Sequence, residues 1–131
     1  MVLEKINEAN DVKSLTEQGI GVRQVPEVPE VLILEGFDRP EEIRAFREGL
    51  LQVQDVSSVL AGFAAGIKPG DFVLDICAAP GGKSLHAADL LRGSGHVEAR
   101  DVTKEKTALI EENVKRSGFA NLSVRVWDGR V

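Results

Sequence analysis

One cysteine, two histidines and no long apolar run leave this 131-residue chain without the usual anchors of secreted, metal-binding or membrane proteins. The lone thiol, Cys77, excludes an internal disulfide framework and any all-cysteine metal centre. His86 and His96 share no metal-ligand spacing and are expected at the surface. No apolar stretch approaches the roughly 18 residues of a membrane span, and the start, Met1-Val2-Leu3-Glu4-Lys5-Ile6, lacks a signal-peptide core. A cytoplasmic, reducing setting with no membrane and no metal is the expectation. Internal repeats and low-complexity tracts are absent as well.

What is present is the composition of an ordinary globular chain, 43% hydrophobic and 28% charged. Its length suits one domain, or two small subdomains packed together. The net charge of -5 is unevenly placed: residues 1–54 hold 6 basic and 11 acidic residues, whereas residues 55–131 hold 10 of each. A polyanion would be repelled by the first segment unless its few cations cluster.

Periodicity and turn residues divide the first segment. A short helix is expected over Asn10–Gln18, capped by Asn10 or Asp11 and closed by Gly19. Extended segments are expected at 20–25 and 31–35, with a turn at Pro26 and Pro29 between them. Asp38-Arg39-Pro40-Glu41 reads as a helix start, with the helix running to Arg47 and ended by Gly49. Leu50–Gln54 is again extended. With a further strand at Val2–Ile6, residues 1–54 would have the strand–helix–strand–strand–helix–strand order of a small ferredoxin-like α+β subdomain, a frame used by many RNA-recognition modules. Its aromatic residues, Phe37 and Phe46, lie on no strand that could stack bases, which favours a structural cap.

Residues 55–131 read differently. Val56, Val59, Leu60 and Phe63 form one helical stripe, and Lys68-Pro69-Gly70 is a turn. Phe72–Cys77 is a short apolar run expected of a parallel strand buried on both faces. A helix through about Arg92, a strand at His96–Asp101, a helix at Thr103–Ser117 closed by Gly118 and a strand at Leu122–Asp128 follow. This alternation predicts an α/β fold with right-handed crossovers and a parallel, Rossmann-like sheet.

The chemistry concentrates between the first of these strands and its helix, in Asp75-Ile76-Cys77-Ala78-Ala79-Pro80-Gly81-Gly82-Lys83-Ser84, where an open α/β sheet binds ligands. Adjacent glycines allow close backbone approach, and a helix starting near Lys83 presents free N–H groups to an anionic group. Gly82-Lys83-Ser84 imitates a phosphate-binding P-loop, but the glycine required five places before Gly82 is Cys77. The spaced glycines of the dinucleotide fingerprint are also missing. Asp101, ending the second strand, is suitably placed for ribose hydroxyls. A nucleoside-bearing cofactor other than a dinucleotide is implied.

The Asp75–Ser84 segment resembles the cofactor motif of the Sun-type (Nol/Nop/Sun) RNA cytosine-5 methyltransferases. The resemblance continues through Phe46-Arg47-Glu48-Gly49-Leu50, Val53-Gln54-Asp55-Val56-Ser57-Ser58, Asp101 and Asp128-Gly129-Arg130, and Lys5-Ile6-Asn7 stands where the family often has Arg-x-Asn. It implies the first half of a Rossmann-like methyltransferase sheet (55–131), S-adenosylmethionine as cofactor and RNA as partner of the intact parent. On it, Cys77, Ala78, Ala79, Pro80, Gly81, Gly82 and Lys83 would wrap the methionine and sugar side of the cofactor. Asp101 would take the ribose, and Asp128 would lie near the adenine amino group; otherwise Asp128 reads as a turn cap.

Asp75 reads equally as an orienter or as a carboxylate bonded to the loop backbone. Cytosine C5 methylation needs a thiolate to add at C6. The family's nucleophilic cysteines stand in Asp-x-Pro-Cys and Thr-Cys-Ser motifs that this chain does not contain, so Cys77 is assigned to the cofactor loop and the chain alone is expected to be inactive. The alternative is a non-catalytic module that binds the cofactor or a partner chain. Trp127 is expected in the strand core. The Phe72–Cys77 strand, lacking a neighbour on one side, is expected to drive self-association.

Overall fold

The computed structural model describes residues 8–130, with side chains from Val12 onward. The expected strand at Val2–Ile6 and the Lys5-Ile6-Asn7 match lie outside them. Backbone contacts divide the chain into a unit ending at Val56 and one beginning at Ser57.

The first unit begins with α1 (Glu8–Glu17), which runs through Asn10 and Asp11 instead of being capped by them. It closes in a Schellman turn: Gly19 takes φ +78, its N–H reaches Thr16 O at 3.0 Å, and the Ile20 N–H reaches Leu15 O at 3.1 Å. That turn brings Leu15 and Ile20 into one core with Ile43, Ala45 and Leu51. β1 (Gly21–Val25) and β2 (Val28–Glu35) form an antiparallel hairpin, in register from Gly21↔Glu35 to Gln24↔Leu32 and then shifted at Val25. β2 begins earlier than its apolar pattern suggests and includes Pro29, whose carbonyl accepts from Gln24 Nε2.

The expected helix to Arg47 is broken in two. A 3-10 turn at Pro40–Glu42 and α2 (Arg44–Arg47) are separated by Ile43, which is extended (φ -78°, ψ 120°) and almost fully buried. Burial of the Ile43 side chain accompanies this loss of helical continuity. Arg47 Nη1 donates to the freed carbonyls of Glu41 and Glu42. α2 ends in a second Schellman turn at Gly49, with the Leu50 N–H on Ala45 O at 2.9 Å.

Leu50–Gln54 is not a strand: only Leu51 makes a bridge, and Leu51 and Gln52 are buried by packing. The ferredoxin-like order is therefore not what the described residues show. They show a helix-flanked hairpin.

The second unit takes in α3 (Val56–Ala64) from Ser57 onward and builds a parallel sheet in the order β3 (Phe72–Asp75), β4 (His96–Asp101), β5 (Leu122–Val126). The register aligns Val73 with Val97 and Leu122, and Asp75 with Ala99 and Val124. These residues face α4 (Gly82–Leu90) and α5 (Lys104–Ser117), and the core holds Leu85, Ala88 and Leu91 against Val97, Ala99, Ile110 and Leu122. α5 is delimited as expected, by Thr103, which accepts from the Lys106 N–H, and by Gly118 at φ +70.

Two expectations fail in this unit. β3 is not buried on both faces: Phe72 is 65% and Leu74 47% exposed, because both covering helices pack on the other side of the sheet. The open face carries Phe72 stacked on His96, the His96–Ser123 hydrogen bond, and Glu98 paired with Arg100 and, at 3.9 Å, with Arg125. His86 is not at the surface either. It is 4% exposed and sits edge-on to Phe63 with ring centroids 5.0 Å apart. Gly62 makes room for it, since a Cβ there would stand 2.3 Å from His86 Nδ1. α4 is buried from Ser84 through Asp89, so a helical wheel has no solvent side on which to place a histidine.

Candidate cofactor site

The segment leaving β3 turns at the C-terminal edge of the sheet, where the adjoining β4 and β5 also end. Its bonds are made by side chains outside its apex. Asp75 joins the two ends of the loop, with Oδ1 accepting the Cys77 N–H at 3.2 Å and Oδ2 accepting the Ser84 hydroxyl at 2.7 Å. Asp75 is thus a half-buried carboxylate bonded to loop backbone and to the first turn of α4, the second of its two expected readings.

Asp101 is 2% exposed. Its Oδ2 accepts the Ala79 N–H at 3.0 Å and its Oδ1 the Val102 N–H at 2.8 Å, with Lys106 Nζ 3.5 Å from Oδ1. The Ala79 N–H, above all, holds its carboxyl below the usual carboxylate range; the Val102 N–H and Lys106 act in the same sense, and burial opposes them. As it stands, Asp101 is the pin of the loop.

Gly81 occupies the N-cap position of α4 with φ +110, so no side chain caps the helix. A Cβ there would meet Ile110 Cγ2 at 3.2 Å. The glycine thus serves both a backbone angle and a close approach to α5. Lys83 and Cys77 are exposed, Ala78 is buried, and Ala79 and Gly82 are partly covered. Pro80 is exposed, and its carbonyl accepts from Asn113 Nδ2 of α5 at 2.9 Å.

Around the loop, each strand delivers an exposed aliphatic side chain to the same edge: Ile76 after β3, Val102 after β4, Val126 at the end of β5. Ile76 and the Trp127 ring both approach Gly129. Trp127 does not enter the strand core. Its N–H extends the β4–β5 pairing to Asp101 O at 2.8 Å, and its half-buried ring lies under the Arg100 guanidinium at 4.7 Å.

Asp128 closes its own turn, accepting the Arg130 N–H at 3.0 Å and a two-pronged contact from the guanidinium. Arg130 holds its carboxyl below the usual range. The site therefore brings Cys77–Lys83 and Asp101 into direct contact, while Asp128 is bonded to Arg130. Sequence reasoning missed Ile76, Val102 and Asn113. An apolar residue just past each strand was the available sign for the first two.

Among the described residues there is no group of three His, Cys, Asp or Glu side chains able to hold a metal, and no helix is long and apolar enough to cross a membrane.

A parallel sheet with a glycine turn after its first strand and a buried carboxylate ending its second defines the class, a Rossmann-like α/β fold of the methyltransferase type. Comparison with known proteins narrows it. Residues 64–131 match the model of the 16S rRNA methyltransferases RsmB/F. The tRNA (cytosine(72)-C(5))-methyltransferase of Pyrococcus horikoshii is 33% identical over 122 residues, covering 92% of this chain and 30% of that protein. The probable ribosomal RNA small subunit methyltransferase B of Bacillus subtilis is 41% identical over 65% of this chain and 19% of its own length.

Among solved structures, that of PH0851 superposes with a TM-score of 0.89 at 35% identity over 96% of this chain and 28% of that one. NSun6 from Pyrococcus horikoshii, solved with SFG, gives a TM-score of 0.67 at 34% identity over 72% of this chain and 24% of its own. The chain belongs to the RsmB/F family of RNA methyltransferases, the Sun-type family that its loop motif resembles. It spans 19% to 30% of the length of the first relatives named.

Proposed function

We propose that this chain is the cofactor-binding portion of an RNA cytosine-C5 methyltransferase and holds S-adenosylmethionine at the C-terminal edge of β3, β4 and β5. The observation that carries this is the uncapped N-terminus of α4 behind Gly81, pinned in place by Asp101 and Asp75. Its free N–H groups and dipole suit the methionine carboxylate. The half-exposed Ile76 and Val102 suit the faces of an adenine ring.

Cys77, Ala78, Ala79, Pro80, Gly81, Gly82 and Lys83 would wrap the amino-acid and sugar side. Asp101 would take a ribose hydroxyl on a lone pair left over from Ala79 and Val102, and Asp128 would approach the adenine amino group beside Arg130. When bound, the cofactor supplies a methyl group activated by its sulfonium; the chain's own residues bind and orient it. Cys77 is the only thiol in the sequence and belongs to this loop, so the chain by itself lacks a nucleophile placed for cytosine and is inactive alone. RNA is the partner of the intact enzyme, with residues 55–131 as the charge-balanced part. Residues 1–54 would form a small structural subdomain and residues 55–131 the partial S-adenosylmethionine-binding domain, close to the division between Val56 and Ser57.

Isothermal titration of the 131-residue chain checks the assignment. S-adenosylmethionine and its demethylated product are expected to bind, and ATP to bind at least tenfold more weakly. Tighter binding of ATP would overturn the assignment.

We infer that the chain also self-associates. Among the described residues β3 is one of the two edges of its sheet, and Phe72–Ile76 carries neither proline nor lysine to blunt it. Two copies would pair β3 edge to edge through Phe72–Cys77. Light scattering is expected to show a concentration-dependent rise in mass that Leu74→Lys abolishes; a strictly monomeric wild type would refute the pairing.

A further inference from the structure

Three elements hold the loop. Asp75 at the end of β3 bonds Cys77, and Asp101 at the end of β4 bonds Ala79. The third hold comes from the middle of α5, a place where no strand-end rule directs attention. Ile110 and Asn113 are three residues apart and so share one face of that helix. Ile110 lies against Gly81, and Asn113 Nδ2 donates to Pro80 O at 2.9 Å.

The other end of the Asn113 amide accepts from Arg116 Nη2 at 3.3 Å. A carbonyl on one side and a guanidinium on the other together require a group that donates at one end and accepts at the other. Of the side chains of this size, only asparagine does both. The two partners thereby also settle which way the amide faces.

The consequence lies in the peptide plane. Pro80 C=O and Gly81 N–H belong to one planar peptide unit, and the Pro80–Gly81 bond is not among the cis bonds of the chain. In a trans unit the C=O and N–H point in opposite directions. Fixing Pro80 O against α5 therefore turns the Gly81 N–H away from α5, at the uncapped start of α4.

We propose that Asn113 is a positioning residue for the cofactor loop, which by orienting the Pro80–Gly81 peptide aims the Gly81 N–H at the carboxylate of the cofactor's methionine moiety. This rests on the reading of the site as an S-adenosylmethionine site.

The test separates aim from stability by using two ligands. Methylthioadenosine keeps the adenosine and the sulfur but lacks the amino acid and its carboxylate. In Asn113→Asp, which keeps the shape and removes the donor, affinity for S-adenosylmethionine is expected to fall roughly tenfold, while affinity for methylthioadenosine is unchanged. Asn113→Gln, with both amide ends retained, is expected to recover part of the loss. Equal losses for both ligands would mean a general structural role and would overturn the proposal, as would no loss for either. Hydrogen exchange of the ligand-free chain gives a second measurement: the Leu85 amide, bonded to Gly81 O at 2.8 Å, is expected to exchange faster in Asn113→Asp. A wild-type chain that binds neither ligand would overturn the functional reading, and the exchange data would then decide the loop's hold on their own, unchanged rates counting against it.

Discussion

Alanine at Gly95 is expected to destabilise the second unit by about 3 kcal/mol or more, although Gly95 touches no part of the cofactor site. Gly95 takes φ +110 between α4 and β4, and a Cβ there would stand 2.3 Å from Asp71 O and 3.1 Å from Asp71 N. Both are backbone atoms and cannot swing aside. The same Asp71 carbonyl accepts the His96 N–H, and the Ser94 carbonyl beside it accepts the Gly70 N–H at 2.7 Å. Moving Asp71 would thus open the first rungs between β3 and β4.

Gly93 supplies the control. It also has positive φ, +77, but nothing lies within 4 Å of its added Cβ, so Gly93→Ala should cost only about 1 kcal/mol of backbone strain. The single tryptophan, Trp127, lies beside β5 in the second unit and makes its fluorescence a probe of that unit's unfolding. A melting temperature lowered by about 10 °C or more is expected for Gly95→Ala. A shift no larger than that of Gly93→Ala would show that the turn can relax.

The second large effect belongs to Asp101. Asp101→Asn keeps the shape but turns an amide nitrogen toward one of the two N–H groups, Ala79 or Val102, that the carboxylate satisfies. A buried N–H without an acceptor costs about 1–3 kcal/mol, and lost charge assistance adds to it. A destabilisation of roughly 2–4 kcal/mol is expected at pH 7, together with loss of measurable S-adenosylmethionine binding as the loop comes free of β4.

The pH dependence has a fixed sign. The Asp101 carboxyl is held below its ordinary value, so its contribution is fully present above the unfolded-state value near pH 4. That contribution disappears as the pH falls through the lower folded-state value. The stability gap between wild type and Asp101→Asn should therefore be full at pH 7 and at pH 5, and should narrow steadily below about pH 4. A gap that stays constant to pH 2 in urea titrations followed by Trp127 would show that the charge is not what holds the loop.

Much of this architecture is legible in the residue pattern of the chain. Gly19, Gly49 and Gly118 end helices where punctuation said they would, because a positive φ after a helix is a local demand that glycine alone meets without strain. The alternation of β3, α4, β4, α5 and β5 follows from apolar periodicity, and the loop was placed by its position after the first strand of a parallel sheet.

Where expectation failed, long-range packing had overruled local preference. The helix expected to run unbroken to Arg47 is interrupted where Ile43 turns its side chain into the core. His86 is buried because α4 is enclosed and Gly62 of α3 opens a space for the ring, a fact about two helices that neither sequence segment contains. Trp127 lies just past the end of β5 with Arg100 over its ring.

The residue pattern by itself determined the class of fold, the position of the loop and the glycines that end the helices at Gly19, Gly49 and Gly118. These depend on interactions between neighbours in sequence: backbone angles, strand and helix periods, and the free N–H groups of a helix start. Only the tertiary structure decided what Asp101 does in this chain, which face of β3 stays open, and that Asn113 reaches back 33 residues to Pro80. Each of those depends on which groups satisfy one another's hydrogen bonds and apolar surface across the sheet, and a linear pattern does not encode such pairings one residue at a time.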